Sequence, residues 1–301
     1  MCPLIRAGLL SVLVGLGCAT GGCRWTRVAK SAGPASNPLV AARPYQVVAP
    51  SPLDPQRAYP VVLVLHGLGG RRERIEGYYQ LDPLAQELGF LVAYPEGTEE
   101  VRKAHFWSRR RRFWNATDAC CDFWNSGVDD VAYLDAVIDD LNAHYRIDPK
   151  RIFVVGLSNG GYMAHRYACD RAGRVAAIVS QAGAMWRDQG RCKPSEPVAV
   201  LQIHGTDDNL VPYDGLAHGA VAVWAAADKC GPTPETSGPA IDLIQDEDSA
   251  YPGGAETTIE KWTGCRGVEL WTMRGGRHVP RPHQPFWART IYAWLAAHPK
   301  P

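Results

Sequence analysis

The residue with the clearest chemical potential is Ser158, which lies in the segment Gly156-Leu157-Ser158-Asn159-Gly160. An apolar run of strand-forming residues, 152–155, precedes the segment, and a helical pattern follows it directly. A Gly-x-Ser-x-Gly sequence between a strand and a helix is typical of a nucleophile elbow, a tight turn that lifts a serine hydroxyl above a sheet. The pattern therefore predicts a nucleophilic serine at position 158.

A serine hydroxyl needs a base to accept its proton, and the base needs an acid to orient it. In folds with this elbow, the acid and then the histidine follow the serine along the chain. Asp207 and Asp208 come directly after a buried strand pattern at 198–203, where such an acid belongs. Both carboxylates are candidates for the acid, and capping of the turn is the alternative role for Asp207.

Four histidines follow these carboxylates. His278 comes directly after the last predicted strand and a glycine-rich stretch, so a short loop can deliver its ring to the elbow. His283 is the second candidate. His218 opens a helix close to the acid and His298 ends the last helix, so both are poorly placed. The predicted base is therefore His278.

Two backbone N–H groups are expected to bind the oxyanion that forms during acyl transfer. One belongs to Asn159, the residue after the nucleophile, and the other to the loop after an early central strand. That loop is His66-Gly67-Leu68-Gly69-Gly70, following the apolar run 61–65. Leu68 is the predicted second donor, with Gly67 as the alternative.

Strand and helix patterns alternate along the chain, which predicts an α/β fold with a mostly parallel central sheet and helices on both faces. The predicted strands are 43–50, 61–65, 90–94, 152–155, 175–179, 198–203 and 268–273, and the predicted helices are 81–88, 128–145, 160–169, 221–229 and 286–297. Asp129 and Asp130 stand in the first turn of the second helix, where carboxylates favour the positive end of the helix dipole.

An irregular insertion is predicted at about 95–127, between a strand and a helix. It is rich in aromatic and arginine residues and contains Cys120 and Cys121. Aromatic side chains near a hydrolase cleft can bind a ring-bearing acyl group or a polymer chain. We expect Trp107, Trp114 and Trp124 to contact substrate, with packing inside the insertion as the alternative.

The first residues differ from the rest of this chain of 301 residues. A charge, a short apolar run and small residues predict a signal peptide at 1–23, with a lipid-modified Cys18 or Cys23 as an alternative. A flexible tether at 24–42 and a single catalytic domain at 43–301 follow. Six cysteines lie in that domain, an even number that suggests disulfides in an exported protein.

Composition excludes several partners. The net charge of +1 gives no reason to expect nucleic acid. No Cys-x-x-Cys or histidine spacing indicates a metal site. Membrane contact is expected only through a lipid anchor on the N-terminal region, and the apolar run there is too short for a comfortable transmembrane helix.

Taken together, the motifs resemble those of an exported α/β-hydrolase family that contains feruloyl esterases and polyhydroxybutyrate depolymerases. The resemblance is carried by His66–Gly70, Val128–Val131, Asp148–Ile152, Gly156–Gly161 and His204–Asp208 with Val211–Tyr213. It implies Ser158, Asp208 and His278 as the triad, and a disulfide between Cys230 and Cys265. Arg277 departs from the family, which commonly has glycine before the histidine.

The resemblance implies a secreted serine esterase that works through an acyl-enzyme and needs no metal or organic cofactor. Its expected substrate is a polymer-linked ester, first a hydroxycinnamoyl ester of plant polysaccharide. Polyhydroxybutyrate or another polyester comes next, and acetylxylan third. A serine peptidase and a catalytically silent cell-surface binding module are the alternatives from other classes.

Overall fold

The computed structural model describes residues 37–100, 111–248 and 254–301. Within these ranges the helices are α1 (Pro38–Ala42), α2 (Arg72–Tyr79), α3 (Asp82–Leu88), α4 (Asp130–His144), α5 (Asn159–Asp170), α6 (Tyr213–Ala227) and α7 (Phe286–Ala296). The strands are β1 (Gln46–Val48), β2 (Tyr59–Leu65), β3 (Leu91–Tyr94), β4 (Thr98–Glu99), β5 (Arg112–Phe113), β6 (Ile147–Leu157), β7 (Ala177–Gln181), β8 (Ala199–Gly205), β9 (Glu235–Thr236), β10 (Thr257–Trp262) and β11 (Val268–Met273). None of the helices in these ranges combines the length and the apolar character that a bilayer crossing requires.

Nine of the described strands form one sheet in the order β1-β3-β2-β6-β7-β8-β11-β10-β9. The central strands, from β3 to β11 in that order, pair in parallel, and β1, β10 and β9 are antiparallel at the edges. This confirms the predicted mostly parallel sheet. Because parallel strands end at the same edge, the loops that follow β2, β6, β8 and β11 lie side by side there.

The sheet is covered on both faces. In β2, Val61, Leu63 and Leu65 face one core, and Val62 and Val64 face the other, as the alternation of a strand requires. Helices α1, α4, α5 and α6 contribute to the first core, and α2, α3 and α7 contribute to the second. Each central strand is therefore buried on both sides, which explains its unbroken apolar sequence.

The packed domain begins earlier than the sequence predicts. The expected tether at 24–42 ends in α1, whose first backbone N–H groups are capped by Asn37 through a 2.9 Å bond from the Leu39 N–H. Val40 is 3% exposed and belongs to the first core. The remaining tether residues and the predicted signal peptide at 1–23 lie outside the described residues. Helix α2 and strand β10 were not predicted.

The insertion is tied to the domain at its described ends. Strand β5 pairs with β4, and the N–H of Asn115 donates to the carboxylate of Asp130 at 2.7 Å. Arg43 pairs with the same carboxylate at 2.5 Å. Asp130 thus joins the segment before β1, the insertion and α4, whereas Asp129 caps α4 through the N–H of Ala132. Residues 101–110 of the insertion lie outside the described ranges.

The six cysteines of the domain form three disulfides within the described residues: Cys120–Cys121, Cys169–Cys192 and Cys230–Cys265. The last pair confirms the link that the family resemblance implies. The first joins neighbouring residues in the insertion, a pairing that the sequence analysis did not single out.

Candidate active site

Ser158 stands at the turn between β6 and α5 with φ 55° and ψ −120°. A non-glycine residue in this region is strained, which is characteristic of a nucleophile elbow. The turn is tight because Gly156 and Gly160 face each other with no room for a side chain between them. A Cβ on Gly160 would come within 2.7 Å of the His66 carbonyl oxygen, so the elbow also packs against the loop after β2.

The ring of His278 lies between the hydroxyl of Ser158 and the carboxylate of Asp208. Its Nε2 is 2.8 Å from Ser158 Oγ, and its Nδ1 is 2.7 Å from Asp208 Oδ2. Asp208 follows β8 and His278 follows β11, so the sheet topology brings together residues that are 70 and 120 positions apart. With Nδ1 donating to the carboxylate, Nε2 is free to accept the serine proton.

Asp208 is held as a carboxylate. Burial opposes its ionisation, but the side chains of His204 and His278 and the N–H groups of Val211 and Leu210 donate to it and keep its pKa well below the usual range. The two backbone donors are each 2.9 Å from Oδ1. The acid is therefore charged at any pH at which a serine esterase works.

The other candidates are placed elsewhere. Asp207 is exposed, and its carboxylate accepts a hydrogen bond from Thr206. His283 pairs with Asp242, His218 with Glu260, and the ring of His298 bonds the carbonyl of Trp294. Asp208 and His278 are thus the acid and the histidine that the structure brings to Ser158.

The predicted oxyanion donors flank the nucleophile. Asn159 begins α5, so its N–H has no partner inside the helix. Leu68 lines the cleft beside Ser158, and its N–H has no acceptor in the described part of the chain. Gly67 is close to the nucleophile as well, since a Cβ there would lie 3.3 Å from Ser158 Cβ. Two unpaired N–H groups beside a serine can stabilise a tetrahedral oxyanion.

Of the three tryptophans expected to contact substrate, Trp114 is instead fully buried, with 0% of its surface exposed. Its indole N–H donates to the His66 carbonyl at 2.9 Å. Its backbone N–H and carbonyl both bond the side-chain amide of Asn159, at 2.7 and 3.0 Å. Trp114 therefore links the two segments that carry the predicted oxyanion donors, and this corrects the expectation of a direct substrate contact.

The remaining two tryptophans do not define a substrate contact either. Trp124 is 57% exposed and does not line the cleft within the described residues. Its neighbour Phe123 does line the cleft and is 59% exposed. Trp107 lies outside the described residues. Which of two adjacent rings faces the cleft depends on the path of the loop, which residue type does not specify.

Ser158 opens into a cleft of about 620 Å³. No aspartate or glutamate of the described residues lines the cavity. Its apolar and aromatic lining consists of Leu68, Ile75, Tyr78, Ala119, Phe123, Leu157, Tyr162, Leu210, Val211 and Val279. Burial, together with the charge of Asp208, raises the pKa of Tyr162 to about 12, so this phenol stays neutral. The cleft suits an apolar acyl group.

Two parts of this wall are not predicted from the sequence. Arg71, Arg74, Ile75 and Tyr78 all line the cleft from α2 and its N-cap. Their spacing of three and four residues places them on one helix face, and this signal could have identified α2. The Cys120–Cys121 disulfide also lines the cleft, but the sequence gives no indication of where that pair points.

One group of potential metal ligands occurs among the described residues, namely Asp228, Cys230 and Cys265. The two cysteines are joined in a disulfide, so their sulfur atoms are not thiolates and cannot bind a metal as thiolates do. These residues do not line the cleft that contains Ser158.

Proteins of similar sequence include two esterases. The protein named "Putative esterase NocK", from Nocardia uniformis subsp. tsuyamanensis, is 33% identical over 237 residues, which are 73% of this chain and 65% of that protein. "Feruloyl esterase B" from Piromyces equi is 26% identical over 250 residues, 76% of this chain and 41% of that protein. The chain thus spans less than two thirds of either relative.

A solved structure, "Acetyl xylan esterase from Aspergillus awamori", matches with a TM-score of 0.59 at 14% identity and covers 84% of this chain and 93% of that one. At this identity the likeness establishes the fold. A family model described as "Putative esterase" matches residues 36–211, which is more than half of the chain. The chain therefore belongs to this esterase family and has the α/β-hydrolase fold.

Proposed function

We propose that this chain is a serine carboxylic-ester hydrolase that works through an acyl-enzyme. One observation carries the proposal. Ser158, His278 and Asp208 form a continuous hydrogen-bonded array that opens into the cleft. The strained elbow supports it, because a serine held at φ 55° has its backbone fixed in the position that a nucleophile needs.

In the acylation half, Ser158 Oγ attacks the ester carbonyl carbon while His278 Nε2 takes the hydroxyl proton. Asp208 accepts the Nδ1–H bond, orients the ring and stabilises the imidazolium. The N–H groups of Asn159 and Leu68 donate to the oxyanion. The tetrahedral intermediate then collapses, the alcohol leaves with the proton from His278, and the acyl group stays on Ser158.

In the deacylation half, water takes the place of the alcohol. His278 accepts a proton from this water as the oxygen attacks the acyl carbonyl, and it returns the proton to Ser158 as the acid leaves. The same two N–H groups stabilise the second oxyanion, each contributing roughly 3 kcal/mol to the transition state. These steps require no metal and no organic cofactor.

We propose a hydroxycinnamoyl ester of plant polysaccharide as the substrate class. The relative from Piromyces equi is named a feruloyl esterase, and the cleft has the apolar and aromatic lining that an aryl acyl group would fill. A polyester chain is the second candidate for the same lining. Acetylxylan is third, because an acetyl group would leave most of a cleft of about 620 Å³ empty.

We further propose that the protein is exported. The three disulfides support an oxidising compartment. The N-terminal signal-peptide pattern points the same way, and a lipid anchor at Cys18 or Cys23 would hold the domain at the cell surface. The domain then extends from the start of α1 to residue 301 as a single catalytic unit.

A parallel release assay tests the activity and the substrate class. Purified protein is incubated with feruloylated arabinoxylan, polyhydroxybutyrate and acetylxylan, and the released acids are identified by mass. Ferulic acid is the expected product, and Ser158→Ala removes its release. Product from polyhydroxybutyrate alone would contradict the substrate class, and release unchanged in Ser158→Ala would contradict the mechanism.

A further inference from the structure

A line of four buried polar side chains runs from α6 to the back of Asp208. Trp224 Nε1 is 3.0 Å from His165 Nδ1, and His165 Nε2 is 3.0 Å from Gln202 Oε1. Gln202 Nε2 is 3.0 Å from His204 Nδ1. All four residues are at most 1% exposed. Apolar side chains could fill the same space without any hydrogen bonds to satisfy, so buried polar groups here need an explanation.

The direction of every bond in this line is determined. An indole N–H can only donate, so His165 Nδ1 accepts and its proton must sit on Nε2. His165 Nε2–H therefore donates its hydrogen bond to Gln202 Oε1. The Gln202 amide nitrogen then donates to the Gly183 carbonyl, 2.9 Å away, and to His204 Nδ1.

His204 must therefore carry its proton on Nε2. This nitrogen is 2.8 Å from the Val211 carbonyl oxygen and 3.3 Å from Asp208 Oδ2. Both neighbours are acceptors, and the Val211 N–H in turn donates to Asp208 Oδ1. The ring of His204 thus fixes both the carboxylate and the turn that supplies one of its backbone donors.

We propose that Trp224, His165, Gln202 and His204 form a tautomer lock, which holds His204 neutral with its Nε2–H directed at Asp208 and so positions the acid of the triad. The inference rests on the proposed function of Asp208. His204 is a positioning residue in this account, because it acts on the reaction through Asp208 and His278.

The opposite tautomer would be unfavourable. It would aim the Nε2 lone pair of His204 at the Val211 carbonyl and at the Asp208 carboxylate, which is a repulsive contact in a buried, low-dielectric site. The turn at 208–211 would shift, and Asp208 Oδ2 would lose the direction that lets it accept the hydrogen bond from His278 Nδ1–H. A lone histidine could adopt either tautomer, and the lock removes that freedom.

The charged and titratable groups near this end of the line are few. Asp208 is faced by His204 from β8 and by His278 from the loop after β11, and Tyr162 on α5 is close enough for its pKa to respond to the carboxylate. The ring of Tyr213 on α6 packs edge-on against the His204 ring, with 6.0 Å between the ring centroids. At the other end, burial lowers the pKa of His165 to about 4, against a smaller opposing effect of the Gln202 hydrogen bond. The His165 ring therefore stays neutral at neutral pH.

Nitrogen-15 NMR of the imidazole rings tests the lock directly and needs no substrate. Rings are assigned with the variants His165→Gln and His204→Gln, and long-range correlations then report which nitrogen carries the proton. The expected result at pH 7 is a neutral Nε2–H tautomer for both rings. An Nδ1–H tautomer or an imidazolium at His204 would overturn the proposal.

Kinetics of two substitutions at one position test whether the lock serves catalysis. His204→Leu removes the donor to Asp208, and His204→Gln retains an amide N–H in its place. We expect His204→Leu to lower kcat by roughly tenfold or more with little change in KM, because the substitution removes one hydrogen bond to a charged group. The acid limb of its pH–rate profile should move to higher pH, because a carboxylate with one donor fewer accepts the hydrogen bond from His278 Nδ1–H more strongly and so favours the imidazolium.

His204→Gln should recover most of the lost kcat and return the acid limb towards that of the wild type. Organophosphate titration of active sites normalises each rate, so partial misfolding does not imitate the effect. A purely structural role would lower the active fraction of both variants equally and leave the acid limb unmoved, and that result would overturn the proposal.

A second pair of variants tests the far end of the line. Trp224→Phe removes the donor to His165 Nδ1, whereas Trp271→Phe removes a buried indole that bonds Glu269 instead. Gln202 Oε1 still accepts from His165 Nε2–H, so the expected change is in the nitrogen-15 shift of His165 Nδ1, in the first variant only. Wild-type spectra in both variants would contradict the lock. Failure of the esterase proposal would be seen separately, as hydrolysis that survives Ser158→Ala. The nitrogen-15 spectra of the histidine rings would still test the tautomer lock in that case.

Discussion

Replacement of Trp114 by phenylalanine tests how the insertion supports the oxyanion hole. The indole N–H of Trp114 donates to the His66 carbonyl at 2.9 Å, two residues before Leu68. Its backbone holds the side chain of Asn159, the residue that carries the other predicted donor. The substitution keeps the backbone bonds and removes the indole donor, so the His66 carbonyl loses this contact with the insertion, while the Gly69 N–H still donates to the Arg112 carbonyl at 2.7 Å.

The expected magnitude follows from that one bond. A buried carbonyl left without its donor costs about 1–3 kcal/mol. Part of this appears as a lower free energy of unfolding, and part as looser placement of the Leu68 N–H. Since an oxyanion donor contributes roughly 3 kcal/mol, partial misplacement should lower kcat by about 10- to 100-fold with KM nearly unchanged.

Trp287→Phe is the matched control. Trp287 is also fully buried, but its indole nitrogen has no hydrogen-bond partner in the described part of the chain, so the control removes the same atoms without breaking a bond. Hydrolysis of p-nitrophenyl butyrate and urea unfolding are measured for both variants. If Trp114→Phe keeps a kcat within about twofold of the control, the indole does not support the oxyanion hole.

Three other changes have defined outcomes. Asp208→Asn should lower kcat by orders of magnitude. Because folding lowers the pKa of Asp208, the variant should also have a lower free energy of unfolding in urea, with the whole loss present above about pH 4, the unfolded pKa, and a smaller loss as the pH falls below it. A loss of stability that does not vary with pH would contradict this. Folding lowers the pKa of His165 to about 4, so the neutral ring stabilises the fold fully above its unfolded pKa of about 6.5 and loses that contribution as the pH falls towards 4. At pH 5 the wild type should therefore take up about one more proton on unfolding than His165→Gln does. An unchanged proton uptake in the variant would refute the lowered pKa. The double variant Arg71→Gln/Arg74→Gln should lower the ratio of hydrolysis of p-nitrophenyl hemisuccinate to that of the butyrate by a few-fold, because both cations line the cleft. Arg72 pairs with Glu73 and does not line the cleft, so Arg72→Gln should leave this ratio unchanged; an unchanged ratio in the double variant would contradict a role of the two arginines in binding the acyl group.

The elements that position the nucleophile were predictable because local pattern and tertiary environment agree in them. The run into Ser158 is apolar on every residue and β6 is buried on both faces near its end, so the strand-turn-helix pattern had one structural solution. The catalytic histidine could be predicted for the same reason, because His278 follows a strand that ends at the edge of the sheet where the elbow lies.

Other parts depended on information that the sequence does not carry. Asp207 and Asp208 are adjacent carboxylates, and only the conformation of the turn determines which one points at His278. Helix α1 is one turn long and is stabilised by packing of Val40, so it has little periodic signal. Strand β10 is half-exposed along most of its length, and its polar residues resemble those of a loop.

The aromatic insertion shows the same limit most clearly. Trp114, Phe123 and Trp124 are of similar type, yet the first is buried, the second lines the cleft and the third is exposed away from it. Burial of an aromatic ring depends on what the rest of the chain places around it. The hydrogen bonds that make Trp114 a link between two segments arise from that placement.

In the proposed mechanism, Ser158 forms a covalent acyl-enzyme with His278 as its base. Treatment with a p-nitrophenyl phosphonate, followed by peptide mass mapping, measures this most directly. We predict a single adduct on Ser158, with labelling abolished in Ser158→Ala and slowed by orders of magnitude in His278→Ala. An adduct on another residue, or labelling of Ser158 at the wild-type rate without His278, would contradict the account.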